Sequence, residues 1–292
     1  MTADSGPDLI PLARPPIFTL SAFGDEVADD LETQLDVLAA EDVHHLELRG
    51  AWGHNVLDLD PRALAHAAGL LRARGFAVSA IASPVGKSSL IRRRVHELAR
   101  LDRAIAAAEA LNTRFIRIFS FYVRRATATR QRAAVVDRLG ALTDRAARAG
   151  MTLLLENESR LYGDTPDRCL DLLRTIASSA LRFAFDPANF VQTGVRPMAE
   201  AWPLLADYVA HVHIKDAVFA TGAVRPAGEG DGEIPALLQA LAARGYQGFL
   251  TLEPHLQVAG PNGGFSGPDG LRAASRALRR LLADLPADVT FQ

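Results

Sequence analysis

Titratable side chains crowd the end of one apolar segment, in the stretch HVHIKD at residues 211–216. Acidic residues end three other apolar segments: Glu156 in LLLEN, Asp186 in FAFDP and Glu253 in LTLEP. If these segments are β-strands, their side chains alternate between two faces, and the acidic residues share the inward phase of His213. Three carboxylates that lie close together repel one another unless a proton or a cation neutralises them. Carboxylate oxygens and one imidazole suit a divalent ion, so the pattern predicts a metal site made of these four residues.

The alternative interpretation is that these acidic residues are only helix caps and turn formers, which commonly follow strands. Asp186 before Pro187, taken alone, is an ordinary turn. Three such residues and His213, at the ends of four successive strands and all in one phase, favour the shared cation. His211 lies one pleat deeper than His213, and the sequence leaves open whether it supports that ligand or is a hydrogen-bonded core histidine.

The elements that must position these residues are short apolar strands alternating with amphipathic helices. The intervening segments carry Leu and Ala at three- and four-residue spacing, with Arg and Glu on the opposite side. Gly75, Gly150 and Gly245 fit the position just after a helix end. Eight strand–helix units predict a parallel sheet and favour a closed (β/α)8 TIM barrel. The predicted strands cover residues 17–23, 43–49, 76–82, 114–120, 151–157, 181–187, 208–215 and 248–254.

The competing fold is an open, doubly wound α/β sheet. That fold usually carries a Gly-rich phosphate turn after its first strand, and SAFGDEVADD is not such a turn. No composition break marks a second domain, so residues 17–285 are predicted to form a single TIM-barrel catalytic domain. Residues 1–16, with four prolines, are predicted to be a flexible leader, and residues 286–292 a C-terminal tail.

The composition argues against several classes of function. The 32 Lys and Arg residues nearly balance the 34 Asp and Glu residues, and a net charge of −2 provides no long-range attraction to nucleic acid or to an anionic membrane. The single cysteine, Cys169, excludes an internal disulfide and a cysteine-based zinc site. No signal peptide or membrane-spanning segment is evident, which predicts a cytoplasmic protein without a membrane partner.

The motifs LLLENES, FAFDPANF, HVHIKD and LTLEPH, with GEGDGEIP between the last two, carry a family resemblance. Over about residues 17–285 the chain resembles the xylose isomerase-like TIM-barrel superfamily, the sugar phosphate isomerase/epimerase group that includes ketose 3-epimerases and inosose dehydratases. The resemblance implies one divalent metal ion held by Glu156, Asp186, His213 and Glu253, with Mn²⁺ as the first candidate and Mg²⁺, Co²⁺ or Zn²⁺ as alternatives. It also implies that Glu156 and Glu253 move the protons, and that homodimers or homotetramers are common.

The sequence departs from the epimerase pattern in two places. Asn189 stands where those enzymes usually have His. Those enzymes also carry a substrate-binding Arg shortly after the two histidines, whereas here Lys215 and Asp216 follow them directly. The leading interpretation is a metal-dependent isomerase or epimerase that abstracts a proton from a sugar, sugar phosphate or polyol. The alternative is a lyase or dehydratase that acts on a keto-sugar or inosose with the same site. An endonuclease IV-like repair enzyme is a remote third candidate, because it needs more histidines at the strand ends and a basic groove.

Other residues at the strand ends are predicted to bind a small carbohydrate or polyol. The sequence leaves open whether Glu47 pairs with Arg49, and whether Lys215 pairs with Asp216 or Glu229. The predicted substrate-binding residues are Glu47, Trp52, Arg117, Asn189, His211, Lys215 and His255.

Two Gly-rich loops follow the last two strands. AVRPAGEGDGEIP could offer backbone N–H groups to a phosphate, but turn formation with Pro235 in the first helical turn is the preferred explanation. QVAGPNGGFSGPDG is long enough to be a lid or a subunit contact.

Overall fold

Eight parallel strands close into a barrel in the computed structural model, which describes residues 15–256 and 266–292. Each strand pairs with the next strand along the chain, and the eighth pairs with the first, from Ile17 opposite Gln247 to Ala22 opposite Leu252. The predicted (β/α)8 TIM barrel is therefore confirmed. The strands are β1 (Ile17–Ala22), β2 (His45–Leu48), β3 (Ala77–Ala82), β4 (Phe115–Ile118), β5 (Thr152–Glu156), β6 (Leu181–Phe185), β7 (Val209–Ile214) and β8 (Gln247–Leu252).

Helices return the chain along the outside of the barrel. Asp30 and Asp60 begin the first two helices, because each carboxylate accepts a backbone N–H of the first turn. Gly75, Gly150 and Gly245, predicted to end helices, have φ angles of 73°, 70° and 63°, the left-handed conformation expected there. The helices are α1 (Leu31–Ala40), α2 (Pro61–Ala73), α3 (Arg94–Ala110), α4 (Ala128–Arg148), α5 (Pro166–Ile176), α6 (Pro187–Gln192), α7 (Trp202–Leu205), α8 (Ile234–Ala243) and α9 (Gly267–Ala283).

The barrel wall sorts its side chains with the strand period of two. Outward-facing residues such as Leu153 belong to the main hydrophobic core that the strands share with the helices. Leu154 and Ala184 alternate with them, are fully buried and fill the barrel interior. Glu156 and Asp186 lie two residues further along these same inward faces, at the carboxyl ends of β5 and β6.

Three short pairings extend the barrel pattern. Gly50–Ala51 pairs antiparallel with His54–Asn55 after β2, and Asp216–Ala217 pairs antiparallel with Val224–Arg225 after β7. Thr290–Phe291 pairs in parallel with the first two residues of β1, so the predicted C-terminal tail is hydrogen-bonded to the barrel.

Parts of two segments predicted from the sequence lie outside the described residues. They are residues 1–14 of the predicted leader and residues 257–265 of the Gly-rich segment after β8. In the rest of the chain, no helix combines the length and the apolar character needed to cross a membrane.

Candidate metal centre

The four predicted metal ligands converge at the carboxyl ends of β5 to β8. Glu156 ends β5, Asp186 and Glu253 directly follow β6 and β8, and His213 lies near the end of β7. One ligand atom of each residue lies within 4.8 Å of those of the other three, and every one of the four residues is at most 5% exposed. Nδ1 of His213 lies 3.4 Å from Oε1 of Glu156, 3.7 Å from Oε2 of Glu253 and 3.9 Å from Oδ2 of Asp186.

Glu47 orients the His213 ring from inside the barrel. Its carboxylate lies 3.3 Å from Nε2 of His213 and 2.7 Å from Nε2 of His211, which is also 2.8 Å from Oγ1 of Thr251. Burial works to raise the pKa of Glu47, but the two imidazoles outweigh it and lower the pKa far below its usual value. The ionised carboxylate can only accept, so both Nε2 atoms donate. Nδ1 of His213 is left facing the acidic ligands, and among the described residues it has no hydrogen-bond partner.

The Lys215 ammonium lies between two of the acidic ligands. Nζ is 2.8 Å from Oδ2 of Asp186 and 3.0 Å from Oε2 of Glu253. Its carboxylate partners are therefore predicted metal ligands rather than Asp216 or Glu229. Burial works to lower the pKa of Lys215, but Asp186 and Glu253 raise it well above its usual range, so the group stays charged.

Arg117 and Asn189 hold the two oxygens of Glu156. NH1 of Arg117 lies 3.3 Å from Oε2, and its guanidinium packs 4.4 Å from the centre of the Phe119 ring. Nδ2 of Asn189 donates to Oε1 of Glu156 at 3.1 Å and to the backbone oxygen of Asn157 at 2.9 Å. This carboxylate therefore has little rotational freedom.

A divalent cation fits this donor set. Burial, reinforced by the Glu156 and Glu253 carboxylates and opposed by Lys215, raises the pKa of Asp186 to about 6. Burial works to lower the pKa of His213, but Glu47 and Glu156 raise it well above its usual value. Both shifts indicate that the cluster favours additional positive charge. Three carboxylates and one imidazole, whose buried Nδ1 has no hydrogen-bond partner among the described residues, match the ligands of Mn²⁺, Mg²⁺, Co²⁺ or Zn²⁺.

Arg49 links the last strand to the first. It donates to Oδ2 of Asp25 at 2.8 Å, to Oε1 of Glu26 at 2.9 Å and to Oε1 of Glu253 at 3.2 Å. Nε2 of His255 lies 2.9 Å from Oε1 of Glu26 and 3.3 Å from Oε1 of Glu253. The sequence interpretation named neither Asp25 nor Glu26. They lie three and four residues after the end of β1, and the same strand-end rule would have identified them.

A cavity of about 340 Å³ opens onto the cluster. Glu156, Lys215 and Glu253 line it together with Arg117 and His255, so five of the predicted site residues share one space.

Trp52 is placed away from this cavity. Its indole nitrogen donates to Oε2 of Glu32 at 2.9 Å, and its ring stacks on His66 at 5.3 Å. Glu47 and His211 lie below the cluster, fully buried inside the barrel.

The loop after β7 wraps around the Asp216 carboxylate. This side chain is fully buried and accepts the backbone N–H groups of Ala217, Gly228, Gly230 and Gly232. The N–H groups that a phosphate would need are thus already bonded, which agrees with the preferred turn interpretation of this loop.

Comparison with known proteins identifies similar folds. The family model described as xylose isomerase-like TIM barrel matches residues 35–281. A search of curated protein sequences gave no significant match. A solved D-tagatose 3-epimerase-like protein superposes with a TM-score of 0.72 at 18% identity, covering 90% of this chain and 97% of that one.

Two further solved structures cover nearly the whole of both chains. The probable 3-DHS dehydratase AsbF involved in petrobactin synthesis, from Bacillus anthracis, gives a TM-score of 0.70 at 17% identity, with 90% of this chain and 98% of that one covered. The IOLI protein with a binding zinc atom gives 0.71 at 14% identity, with 92% and 99% covered. At these identities the likeness concerns the fold.

Proposed function

The chain belongs to the xylose isomerase-like TIM barrel family, and we propose that it is a divalent-metal-dependent isomerase or epimerase of a small carbohydrate or polyol. The observation that carries the proposal is the convergence of Glu156, Asp186, His213 and Glu253 within 4.8 Å of one another, beside a cavity of about 340 Å³. These four residues would hold the metal ion, which when bound supplies Lewis-acid stabilisation of negative charge on a substrate oxygen.

Glu156 and Glu253 are the proposed proton-transfer pair. They belong to different strands and both line the cavity, so they can approach a substrate carbon from different sides. Burial works to raise the pKa of Glu253, but Lys215, His255 and other cations lower it well below its usual value, so this carboxylate is ionised and can accept a proton. Burial works to raise the pKa of Glu156, but His213 and Arg117 lower it, so Glu156 is also ionised at first. It returns a proton to the opposite face only after it has taken one up, for example from a substrate hydroxyl. Such general acid–base catalysis typically contributes about 10²- to 10⁴-fold.

Lys215 and Arg117 would hold the substrate oxygens. Because Lys215 stays an ammonium, it acts as a hydrogen-bond donor to a developing oxyanion rather than as a base. Arg117 lines the cavity, where its guanidinium can donate to a substrate hydroxyl. Asn189 is proposed to fix the Glu156 carboxylate, which it contacts at 3.1 Å.

The proposal is tested first by metal binding. Calorimetric titration with Mn²⁺, Mg²⁺, Co²⁺ and Zn²⁺ should give about one tight site in the wild type and weakened binding in E156Q and E253Q. Glu109, exposed on α3, provides the matched control E109Q, which should bind like the wild type. A wild type that binds none of these ions, or an E156Q variant with unchanged affinity, would overturn the proposal.

The reaction is tested in D2O with ketoses and inososes, followed by NMR. The metal-loaded wild type should exchange a carbon-bound hydrogen for deuterium, and E156Q and E253Q should lose at least about 100-fold in rate, the lower end of acid–base catalysis. The second candidate is a lyase or dehydratase. It is considered because Asn189 and Lys215 depart from the residues that epimerases usually have at these places. Loss of water from the labelled substrate would favour the lyase, whereas exchange without elimination favours the isomerase.

A further inference from the structure

A second cavity, of about 510 Å³, lies beside the first, where the chain leaves β3 and β4. Lys87, Ser88 and Arg92 line it from the loop after β3, Arg100 and Arg103 from α3, and Tyr122 from the segment after β4. Both strand ends are on the rim that carries the metal ligands, so the two cavities open on the same face of the barrel.

The lining of this cavity is cationic. It contains four basic residues and no acidic one. Nζ of Lys87 pairs with Oε2 of Glu158 at 2.7 Å, and NH1 of Arg100 pairs with Oε1 of Glu97 at 2.9 Å. In residues 15–256 and 266–292 neither of the remaining two arginines forms an ion pair. Within those residues, two positive charges without an ion-pair partner, both on exposed side chains, therefore line the cavity.

This arrangement carries an electrostatic cost. Arg100 and Arg103 are three residues apart on α3, so two like charges lie on one side of the helix and repel, although Glu97 offsets part of the Arg100 charge. Ser88 is 6% exposed, and in the described part of the chain its Oγ has no hydrogen-bond partner. Buried hydroxyl groups are normally hydrogen-bonded, because an unmade bond costs free energy. An anion in the cavity would remove both costs.

Backbone hydrogen bonds hold the cavity-forming loop in place. The N–H of Tyr122 donates to the backbone oxygen of Ser88 at 2.9 Å. Arg138 on α4 donates to the backbone oxygens of Leu90 and Arg92 at 2.7 and 2.6 Å. The backbone of this loop is therefore in place before a ligand arrives, which lowers the entropic cost of binding.

Lys87 connects this cavity with the candidate metal centre. It lines both cavities, and Nζ lies 4.8 Å from the centre of the Phe119 ring. The same ring packs at 4.4 Å from the guanidinium of Arg117, which pairs with Glu156. The two cavities are therefore neighbours that share Lys87, and Phe119 packs between the cations of the two linings.

We propose that the cationic cavity binds the phosphate of a phosphorylated sugar whose carbon skeleton occupies the neighbouring metal-centre cavity. Arg92 and Arg103 match the charge of a phosphate dianion, and Ser88 and Tyr122 provide hydroxyl groups for its remaining oxygens. This inference names the substrate class of the proposed isomerase and rests on that function for the identity of the sugar part.

The cavity itself is tested with inorganic phosphate, independently of any reaction. Calorimetric titration should show binding to the wild type that R92Q and R103Q each weaken by about 10- to 100-fold, as expected for a lost hydrogen bond to a charged group. Arg93 is exposed and is not part of the lining, so R93Q is the matched control and should bind like the wild type. Circular dichroism and the melting temperature verify that each variant is folded. No binding by the wild type, or equal binding by R103Q and R93Q, overturns the site.

The substrate class is tested by deuterium exchange with ketose phosphates and with their unphosphorylated parents. The phosphate esters should have the lower KM, R103Q should raise that KM by about tenfold or more, and R93Q should not. A wild type that prefers neutral sugars or sugar acids refutes the phosphate assignment. If no compound exchanges but R92Q and R103Q still lose phosphate binding, the proposed isomerase function fails and the anion site stands.

Discussion

We expect Asp216→Asn to destabilise the protein about as much as Asp216→Ala, although asparagine keeps the shape of the side chain. Oδ1 of Asp216 accepts the N–H groups of Ala217 and Gly232 at 2.8 and 2.7 Å. Oδ2 accepts those of Gly228 and Gly230 at 2.9 and 3.1 Å. Whichever way an asparagine amide is turned, its NH2 group faces two of these donors and can accept neither.

The magnitude follows from the lost bonds. D216N removes two hydrogen bonds to a charged group, and each such bond contributes roughly 1.5–3 kcal/mol to stability. The substitution should therefore lower the free energy of unfolding by about 3–6 kcal/mol. D216A loses all four bonds but leaves space in which water can bind part of the freed donors, so its loss should fall in the same range. Either change removes a large part of the roughly 5–15 kcal/mol that stabilises a folded domain.

Urea unfolding followed by circular dichroism measures this effect by linear extrapolation. Asp269 provides the control, because its side chain is 96% exposed and its ion pair is with Arg272 one turn along α9. D269N should change the free energy of unfolding by less than about 0.5 kcal/mol. A D216N variant within about 1 kcal/mol of the wild type, where the two lost bonds demand at least three times that, would refute the reasoning.

Three further predictions concern single residues. Cys169 is fully buried, and burial raises the pKa of its thiol. At mildly alkaline pH, DTNB should therefore label this thiol only when the protein unfolds. Fast labelling of the folded protein would contradict this. E47Q should weaken metal binding about 10- to 100-fold in calorimetric titration, because an amide cannot accept from two imidazoles as the carboxylate does; unchanged affinity would remove Glu47 from the orientation of His213. G86A should cost at least about 2 kcal/mol in urea unfolding, because φ is 79° and a Cβ would lie 2.0 Å from the backbone oxygen of Phe119; wild-type stability would contradict this.

The strand order and the inward phase of the site could be predicted from the sequence. Both depend on local patterns: apolar runs of strand length, and alternation that puts Glu156 on the same face as Leu154 and Asp186 on the same face as Ala184. A closed barrel then brings the ends of consecutive strands to one rim.

Contacts across the barrel could not be predicted in this way. The sequence suggests an ion pair between Glu47 and its near neighbour Arg49, but Glu47 contacts His211 and His213 from β7. The sequence suggests an ion pair between Lys215 and Asp216, but Lys215 lies between Asp186 and Glu253, at the ends of β6 and β8. Which side chains meet across the interior depends on the tilt and stagger of the strands, and a period of two does not contain that information.

The short pairing at the end of the described chain covers part of a strand that would otherwise have an open edge. Thr290–Phe291 covers the start of β1, and the backbone N–H groups of Leu20 and Gln292 are bonded across this contact. β2 pairs with β1 only at Ala22, so without these residues the first half of that strand would be an open edge. Open strand edges are templates for pairing between molecules. Expression variants that shorten the chain before Thr290 would therefore carry an aggregation risk on the side of the barrel remote from the ligand-binding rim.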